Sequence, residues 1–271
     1  MIEPPPVAPK VSIAIATYGR CSRLQRCIAA IRANVTISHE IVIVGNGVGD
    51  GTESWLNTQP GIRFIRETNR EGATRAYNKA FRATKGHYVT WLNDDAYPLP
   101  GALDSAVRMI EHPNNSDIGM VAFYHNFNRN RNRLHSVEHE KVVYSMYNVR
   151  GLPYANFGLL RRDLLVRLGY LDERYYFCAW DPDLSLKVQH EAGLSVVGCP
   201  DAKVYHEEYI DQRKRQDMKV MDDDNRKLFE KWGLPEKFSY PDPGPQYRKT
   251  LAERLAAMIV SPKTRPEAPV H

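Results

Sequence analysis

Short apolar segments alternate with helix-like segments through residues 11–123, and this alternation limits the fold more strongly than any other feature of the sequence. Five of these segments are rich in apolar and β-branched residues, as strands buried within a parallel sheet are: residues 11–17, 41–44, 62–65, 88–92 and 118–123. Segments that predict helices lie between them, beginning at Ser22 and covering residues 72–83 and 103–110. This order predicts an α/β fold with a doubly wound, mostly parallel sheet flanked by helices.

The second half of the chain differs and predicts a smaller α+β region followed by helices. Residues 126–133 (NFNRNRNR) predict a basic loop that is either solvated or contacts an anion. Strands are expected at residues 141–149, 155–161, 195–197 and 202–205, and helices at 164–168, 182–192, 212–232 and 246–259. We therefore expect a flexible start (1–10), a main domain (11–210) whose two halves are 11–124 and 125–210, a helical extension (211–260) and a disordered tail (261–271).

Composition limits the partners and the location of the protein. Lysine and arginine total 37 against 32 acidic residues, a formal net charge of +5, which suits a small anionic ligand or an anionic membrane and does not indicate nucleic acid. The four cysteines form no CxxC pair, so no disulfide framework is expected and a reducing cytoplasm is the simplest location. The proline-rich start lacks the apolar core of a signal peptide, and no segment reaches the roughly 18 apolar residues of a membrane span. The apolar face of residues 246–259 predicts packing on the domain, on a second subunit or on a membrane surface, so a homo-oligomer and peripheral membrane contact both stay open.

Three polar residues, Asn93, Asp94 and Asp95, directly follow the fourth predicted strand. In an open α/β sheet, ligands bind outside the carboxyl ends of the strands. Two adjacent acids at the end of an apolar strand need a partner, and Mn²⁺ or Mg²⁺ bridging to a diphosphate would supply one. The alternative is a solvated turn whose acids cap the next helix, but Pro98 and Pro100 delay the start of that helix.

Six segments resemble, in order, landmarks of the inverting GT-A glycosyltransferases. Residues 86–103 (GHYVTWLNDDAYPLPGAL) resemble the acidic-motif region of that family. The other segments are VSIAIATYGR from Val11, IVIVGNGVGDGT from Ile41, NREGATRAYNKA from Asn69, GLLRRDLLVRLGYLDERYYF from Gly158 and WDPDL from Trp180. The resemblance implies a Rossmann-like GT-A fold and transfer of a sugar from a nucleoside diphosphate sugar, with a UDP-sugar as the expected donor. The family's acceptors include lipids, polysaccharides, proteins and small molecules.

The same resemblance implies a binding site for the nucleotide-sugar donor. Thr17 and Tyr18 would line the base pocket, Tyr18 by stacking and Thr17 through its backbone. Asn46 lies in the polar turn after the second strand and is a further candidate contact. Arg20 and Arg75 are candidates for phosphate or base edges, since guanidinium suits such groups, and either could equally be a surface charge.

For the acidic triplet, the resemblance implies Asp95 as the main metal ligand and Asp94 nearer the ribose, with Asn93 in place of the usual first acid. His206, at the end of AKVYH, would reach the metal or the diphosphate, or lie exposed at a strand end. Gly45 stands where the family often has an acid that contacts the base.

Asp181 is the residue that the resemblance implies as the catalytic base, since it lies in the family's catalytic acidic motif. A positioned carboxylate can take the proton that the acceptor hydroxyl loses as it attacks the sugar. Asp181 and Pro182 also form a good helix start, with Asp as N-cap and Pro in the first turn, and Asp183 would favour the positive end of the helix dipole. Trp180 replaces the first acid of the usual pair.

The resulting hypothesis is a metal-dependent inverting glycosyltransferase. A non-catalytic nucleotide-sugar or glycan-binding module stays open because of the substitutions at Gly45, Asn93 and Trp180. A sugar nucleotidyltransferase is a further alternative, although that class has a glycine-rich loop after the first strand and ATYGRCSR contains one glycine. His125, His135 and His139 flank the basic loop without metal-ligand spacing and are expected at the surface.

Overall fold

The computed structural model describes residues 8–46, 49–126, 132–207 and 210–239. The strands are β1 (Val11–Tyr18), β2 (His39–Asn46), β3 (Ile62–Arg66), β4 (Tyr88–Asn93), β5 (Ala96–Pro98), β6 (Ile118–His125), β7 (Arg133–His139), β8 (Val142–Val149), β9 (Leu152–Tyr154), β10 (Gly158–Arg161) and β11 (Ser195–His206). The helices are α1 (Cys21–Asn34), α2 (Thr52–Leu56), α3 (Ala73–Ala83), α4 (Ala102–Glu111), α5 (Arg162–Arg167), α6 (Trp180–Leu186), α7 (Gln212–Asp217) and α8 (Met221–Trp232). Most of the basic loop, and the linker, helix and tail predicted after residue 239, lie outside the described residues.

Eight of the strands form one path across the sheet, in the order β3-β2-β1-β4-β10-β6-β11-β5. The pairs β3/β2, β2/β1, β1/β4 and β6/β11 are parallel. Strand β10 runs antiparallel between β4 and β6, and β5 runs antiparallel to β11 at the edge. Strands β7, β8 and β9 form an antiparallel addition that joins the sheet where β8 pairs with β6. The predicted mostly parallel α/β sheet with an α+β addition is confirmed.

The central strands are buried on both faces, which explains why their sequences are continuously apolar rather than alternating. All eight residues of β6 are buried, as are five of the six residues of β4. Helix α3 lies against β1 and β2, and α4 lies against β6 and β11. The same buried cluster extends into α5 and α6, so both halves of the predicted domain share one core.

Several element boundaries differ from the predictions, each for a local reason. The two short strands predicted at 195–197 and 202–205 are one strand, β11, with an irregularity between Cys199 and Lys203 that lets it continue. The helix predicted over 212–232 is divided into α7 and α8 by a 3₁₀ turn at Met218–Val220. The strand predicted over 155–161 begins only at Gly158, and the sequence did not predict the strands β5, β7 and β9.

The start of α6 also differs from the prediction. The residue before the helix is Ala179, with φ of 67°, and Asp181 lies inside the first turn rather than at the N-cap. Pro182 is tolerated there because the first N–H groups of a helix have no intrahelical acceptor. The helix therefore begins before the proline, and Asp181 is held by helical backbone rather than by a capping role.

Candidate active site

The polar residues of the predicted site gather at one edge of the sheet. Strands β1, β2, β4, β6 and β11 run in the same direction, so their carboxyl ends meet at this edge. A cavity of about 670 Å³ opens there. Most of the predicted site residues line it: Thr17, Tyr18, Arg20, Asn93, Asp94, Asp95, Asp181 and His206. This is the position at which open α/β sheets bind ligands.

Arg20 connects the two acids that follow β4. Its Nη1 donates to Oδ1 of Asp94 and to Oδ2 of Asp95, both at 3.1 Å, and its Nε donates to Oδ2 of Asp211 at 2.7 Å. The hydroxyl of Thr17 donates to the other oxygen of Asp94 at 2.8 Å. The guanidinium is buried and joins three carboxyl groups, and Arg213 adds a second positive charge 3.8 Å from Asp211. These contacts hold the acid pair in place at the edge of the sheet.

Asp95 and His206 form a carboxylate–imidazole pair in the cavity. Nε2 of His206 lies 3.1 Å from Oδ1 of Asp95 and 3.3 Å from Nδ2 of Asn93. Burial opposes ionisation of Asp95, but the interactions with His206 and the charge of Arg20 outweigh it and hold the pKa of Asp95 below its ordinary value. Burial beside Asp95 raises the pKa of Asp94.

This donor set fits a divalent cation. Mn²⁺ accepts carboxylate oxygen and imidazole nitrogen, and Mg²⁺ and Mn²⁺ in enzymes take few protein ligands, with phosphate oxygens and water completing the shell. Among the described residues, no group of three or more His, Cys, Asp or Glu side chains is arranged to hold a metal alone. The second ring nitrogen of His206 is buried and has no hydrogen-bond partner in the described part of the chain, so the fold does not use the full binding capacity of this ring.

Asp181 lies elsewhere in the same cavity, on the first turn of α6. Its carboxyl group is buried and accepts a hydrogen bond of 2.6 Å from Nδ2 of Asn156. Burial raises the pKa of Asp181 to about 7, and the hydrogen bond from Asn156 opposes that rise. A carboxyl group with this pKa can exchange a proton near neutral pH, as a general base requires.

Aromatic packing fixes the start of α6. The ring of Trp180 lies 4.7 Å from that of Tyr77 and 5.8 Å from that of Trp91, measured between centroids. The hydroxyl of Tyr77 donates to the carbonyl of Leu92 and the amide oxygen of Asn93, each at 2.9 Å. Trp180 therefore ties the turn that carries Asp181 to the end of β4, a packing role that an acid at this position could not fill.

The loop before α6 is held by the C-terminal helix α8. The buried carboxylate of Asp224 accepts hydrogen bonds from the backbone N–H groups of Tyr176, Phe177 and Cys178, at 3.1, 2.8 and 3.1 Å. These residues are followed by Ala179, whose left-handed backbone is uncommon for a residue with a side chain. The contacts of Asp224 stabilise this turn from outside the sheet.

Not every predicted residue reaches the cavity. Arg75 lies on the outer face of α3, about half exposed, and pairs with Glu173 at 3.6 Å, so the prediction that it contacts the donor is not supported by its position. Arg70, in the loop before α3, lines the cavity instead: its guanidinium lies 5.1 Å from the ring of Tyr18 and pairs with Asp217. The side chain of Asn46 is outside the described residues.

His125 was expected at the surface, and that expectation is wrong. It is the last residue of β6, is 2% exposed and lines the cavity. Its ring centroid lies 5.2 Å from Phe157 and 6.2 Å from His206. Burial lowers the pKa of His125 well below its ordinary value, so it packs as a neutral ring.

A model of the family described as Glycosyl transferase family 2 matches residues 12–169, more than half of the chain. The chain belongs to glycosyl transferase family 2. This membership agrees with the order of motifs in the sequence and supports a glycosyltransferase.

Curated relatives of this family 2 chain cover it in part. An uncharacterized protein of Mycobacterium tuberculosis is 30% identical over 118 residues, which are 43% of this chain and 36% of that protein. An uncharacterized glycosyltransferase of Rickettsia typhi is 24% identical over 216 residues, which are 76% of this chain and 64% of that protein. The chain thus spans about a third of the first relative and somewhat less than two thirds of the second.

A solved structure confirms the fold. The mannosyltransferase PcManGT from Pyrobaculum calidifontis, in complex with GDP-Man and Mn²⁺, aligns with a TM-score of 0.63 over 86% of this chain and 67% of that one, at 20% identity. The predicted GT-A fold is therefore confirmed. In the described part of the family 2 chain, no helix combines the length and apolar character needed to cross a membrane.

Sequence reasoning missed residues that only the fold brings to the site. Asn156 precedes β10 and meets Asp181 across 25 positions of sequence, and Asp211 meets Arg20 across 191. Arg70 was visible as part of the segment NREGATRAYNKA, where a basic residue before a helix start is a signal for phosphate contact. For Asn156 and Asp211 the sequence holds no local signal.

Proposed function

We propose that this family 2 protein is a metal-dependent inverting glycosyltransferase that moves a sugar from a nucleoside diphosphate sugar to a hydroxyl acceptor. The observation that supports this most is one cavity that contains both the Asp95–His206 pair and a separate buried carboxyl group, Asp181, whose pKa is about 7. The first group suits the leaving diphosphate, and the second suits the attacking hydroxyl.

Asp95 and His206 are the residues that would hold the divalent cation. Mn²⁺ or Mg²⁺ held there would supply positive charge to the leaving diphosphate. Arg20 keeps the carboxylate of Asp95 in place from the opposite side through its 3.1 Å contact. Thr17 and Arg20 hold Asp94 in the same way, which preorganises the acid pair before the donor binds.

Asp181 is proposed to act as the general base. The acceptor oxygen attacks the anomeric carbon, the bond from that carbon to the diphosphate oxygen breaks, and the proton of the acceptor hydroxyl passes to the carboxylate of Asp181. A base of this kind contributes about 10²–10⁴-fold in rate. A single displacement inverts the anomeric configuration, so the product of an α-linked donor is a β-glycoside, which NMR of the product can test.

Nucleotide binding is the first test. We expect calorimetry to show binding of UDP or GDP that is strengthened by Mn²⁺. Both are included because the family resemblance implies a UDP-sugar donor and PcManGT is in complex with GDP-Man. Asp95→Asn should lose the manganese-dependent part of the affinity. Asp201→Asn, at a side chain that is 84% exposed, is the matched control and should behave as the wild type.

The outcomes separate the parts of the proposal. Equal affinity of the Asp95→Asn and wild-type proteins with Mn²⁺ present would remove Asp95 from the metal site. Binding of nucleotide without hydrolysis or transfer of any nucleotide sugar would instead favour a non-catalytic binding module.

A further inference from the structure

Position 45, the next to last of β2, cannot carry a side chain, although the resemblance implies a base-contacting acid there in related enzymes. A Cβ atom on Gly45 would overlap the carbonyl oxygen and the methyl group of Thr17. Strands β1 and β2 therefore approach too closely here for any residue larger than glycine. A side chain at position 45 therefore cannot contact a base, and a neighbouring element can supply that contact instead.

Glu67 lies on that neighbouring element, directly after β3. Its backbone N–H donates to the carbonyl of Gly45 at 2.9 Å, which places it beside the end of β2. Its side chain is 4% exposed and lines the cavity. Oε1 accepts a hydrogen bond of 2.8 Å from Lys79, whereas Oε2 accepts none from the described residues.

A purely structural ion pair does not account for this burial. Lys79 also binds Glu71 at 2.8 Å, and the side chains of Lys79 and Glu71 are 32% and 40% exposed. Such half-exposed pairs stabilise little, and burying a carboxylate is costly unless all its oxygens are satisfied. Glu67 is thus the one carboxylate of this group that is desolvated and faces the cavity with hydrogen-bonding capacity left over.

The sheet order shows which part of a donor would reach Glu67. Asp95 follows β4, and Asp181 is bonded to Asn156 next to β10, so the diphosphate and the transferred sugar belong to the β4–β10 side of β1. The nucleoside must then extend the other way, over β1 and β2 toward β3. Tyr18 and Arg70 lie on that side and offer a ring and a guanidinium for stacking.

Given the transferase activity proposed above, we propose that Glu67 selects the donor's nucleobase by accepting a hydrogen bond from a ring N–H. Uracil, thymine and guanine have such a donor on their pairing edge. Cytosine and adenine present a ring nitrogen acceptor there, which a carboxylate repels because it only accepts hydrogen bonds.

The test compares UDP, GDP, CDP and ADP by calorimetry in the presence of Mn²⁺, with wild-type protein and the variants Glu67→Gln and Glu71→Gln. In the wild type, UDP or GDP should bind at least tenfold more tightly than CDP and ADP. Glu67→Gln should weaken binding of the preferred nucleotide by about tenfold or more, as expected for a hydrogen bond to a charged group. CDP and ADP should bind as tightly as before or more tightly, because the amide of Gln can donate to their ring nitrogen. Glu71→Gln removes the other partner of Lys79 and should leave the ranking unchanged.

Three results would overturn the assignment. The first is wild-type binding of CDP or ADP as tight as that of UDP and GDP, which needs no variant. The second is a folded Glu67→Gln protein, checked by its thermal midpoint against Glu71→Gln, that discriminates like the wild type; the proposed transferase function would survive this result. The third is failure of these four nucleotides and of dTDP to bind, which would refute that function as well.

Discussion

Replacing Asp181 with Asn should remove glycosyl transfer and stabilise the folded protein at the same time. Burial raises the pKa of this carboxyl group from 3.8 to about 7 in the folded state. Asn has nearly the same shape, cannot take a proton and still offers an oxygen to the amide of Asn156. The substitution therefore removes a charge that the fold accommodates poorly while it keeps the packing.

The size of the stability effect follows from the pKa difference. An increase of about 3 in the pKa corresponds to about 4 kcal/mol, because one pKa unit is equivalent to about 1.4 kcal/mol. Below pH 3.8 both states of the wild type are protonated and Asp181 costs no stability. Between pH 3.8 and 7 the unfolded chain loses this proton while the folded chain keeps it, so stability falls as pH rises, and the full cost is reached above pH 7. About 4 kcal/mol is an upper limit for the gain in the Asn variant at pH 8.

Thermal unfolding at pH 5 and pH 8 measures this gain. Each kcal/mol shifts the midpoint by about 2–4 °C for a domain of this size, so the advantage of Asp181→Asn over the wild type should be several degrees larger at pH 8. Transfer at pH 8 should fall by about 10²–10⁴-fold, with the affinity for nucleotide retained. The exposed Asp201→Asn variant should show neither change.

The two readouts can fail separately. If the midpoint difference between Asp181→Asn and the wild type is the same at both pH values, the pKa of Asp181 is not raised in the folded state. If the variant transfers sugar at the wild-type rate, another group is the base, whatever the stability data show.

In the wild type, kcat/KM should rise with pH through about pH 7. Asn156→Ala should move this rise to higher pH, because the lost hydrogen bond favoured the ionised form of Asp181. An unchanged pH profile would show that Asn156 does not influence the base. Gly45→Ala should lower the free energy of unfolding by about 1–3 kcal/mol through overpacking against Thr17; urea unfolding with no loss of stability would show that β1 and β2 can separate here.

The elements whose structure follows from the local pattern of apolar and polar residues could be predicted from the sequence. Burial on both faces makes β1, β4 and β6 continuously apolar, so their sequences predicted the sheet. The position of Asp95 after a parallel strand then predicted a ligand site at the sheet edge, whereas Thr17 and His206 were implied by the family resemblance. The neighbouring details depended on distant contacts. Helix periodicity did not separate Arg75, which faces solvent, from Arg70, which precedes the helix and reaches the cavity.

The burial of His125 also depended on distant contacts. Its position beside a basic loop suggested a surface residue, and only the packing of Phe157 and Tyr147 around its ring makes it part of the cavity wall. The N-cap expected at Asp181 was also wrong, because the aromatic contacts of Trp180 extend α6 by a residue ahead of Asp181. A pattern of helix starts contains no information about such contacts.

The match to the family model ends at residue 169, before Asp181, His206 and Asp211. The matched segment therefore supplies the acid pair and Arg20, but the residues proposed to complete the chemistry come from the chain after residue 169. Arg20 connects the two parts of the chain, because its guanidinium contacts Asp94 and Asp95 in the matched segment and Asp211, just before α7, in the remaining chain. Asp224 of α8 accepts a hydrogen bond from the backbone N–H of Phe177 and so holds the loop that leads to Asp181. Because a buried acid pair is stable only when its geometry and charge are maintained, the C-terminal helices contribute to the active site through these contacts, and a fragment ending at residue 169 would lack both the proposed base and the second metal ligand.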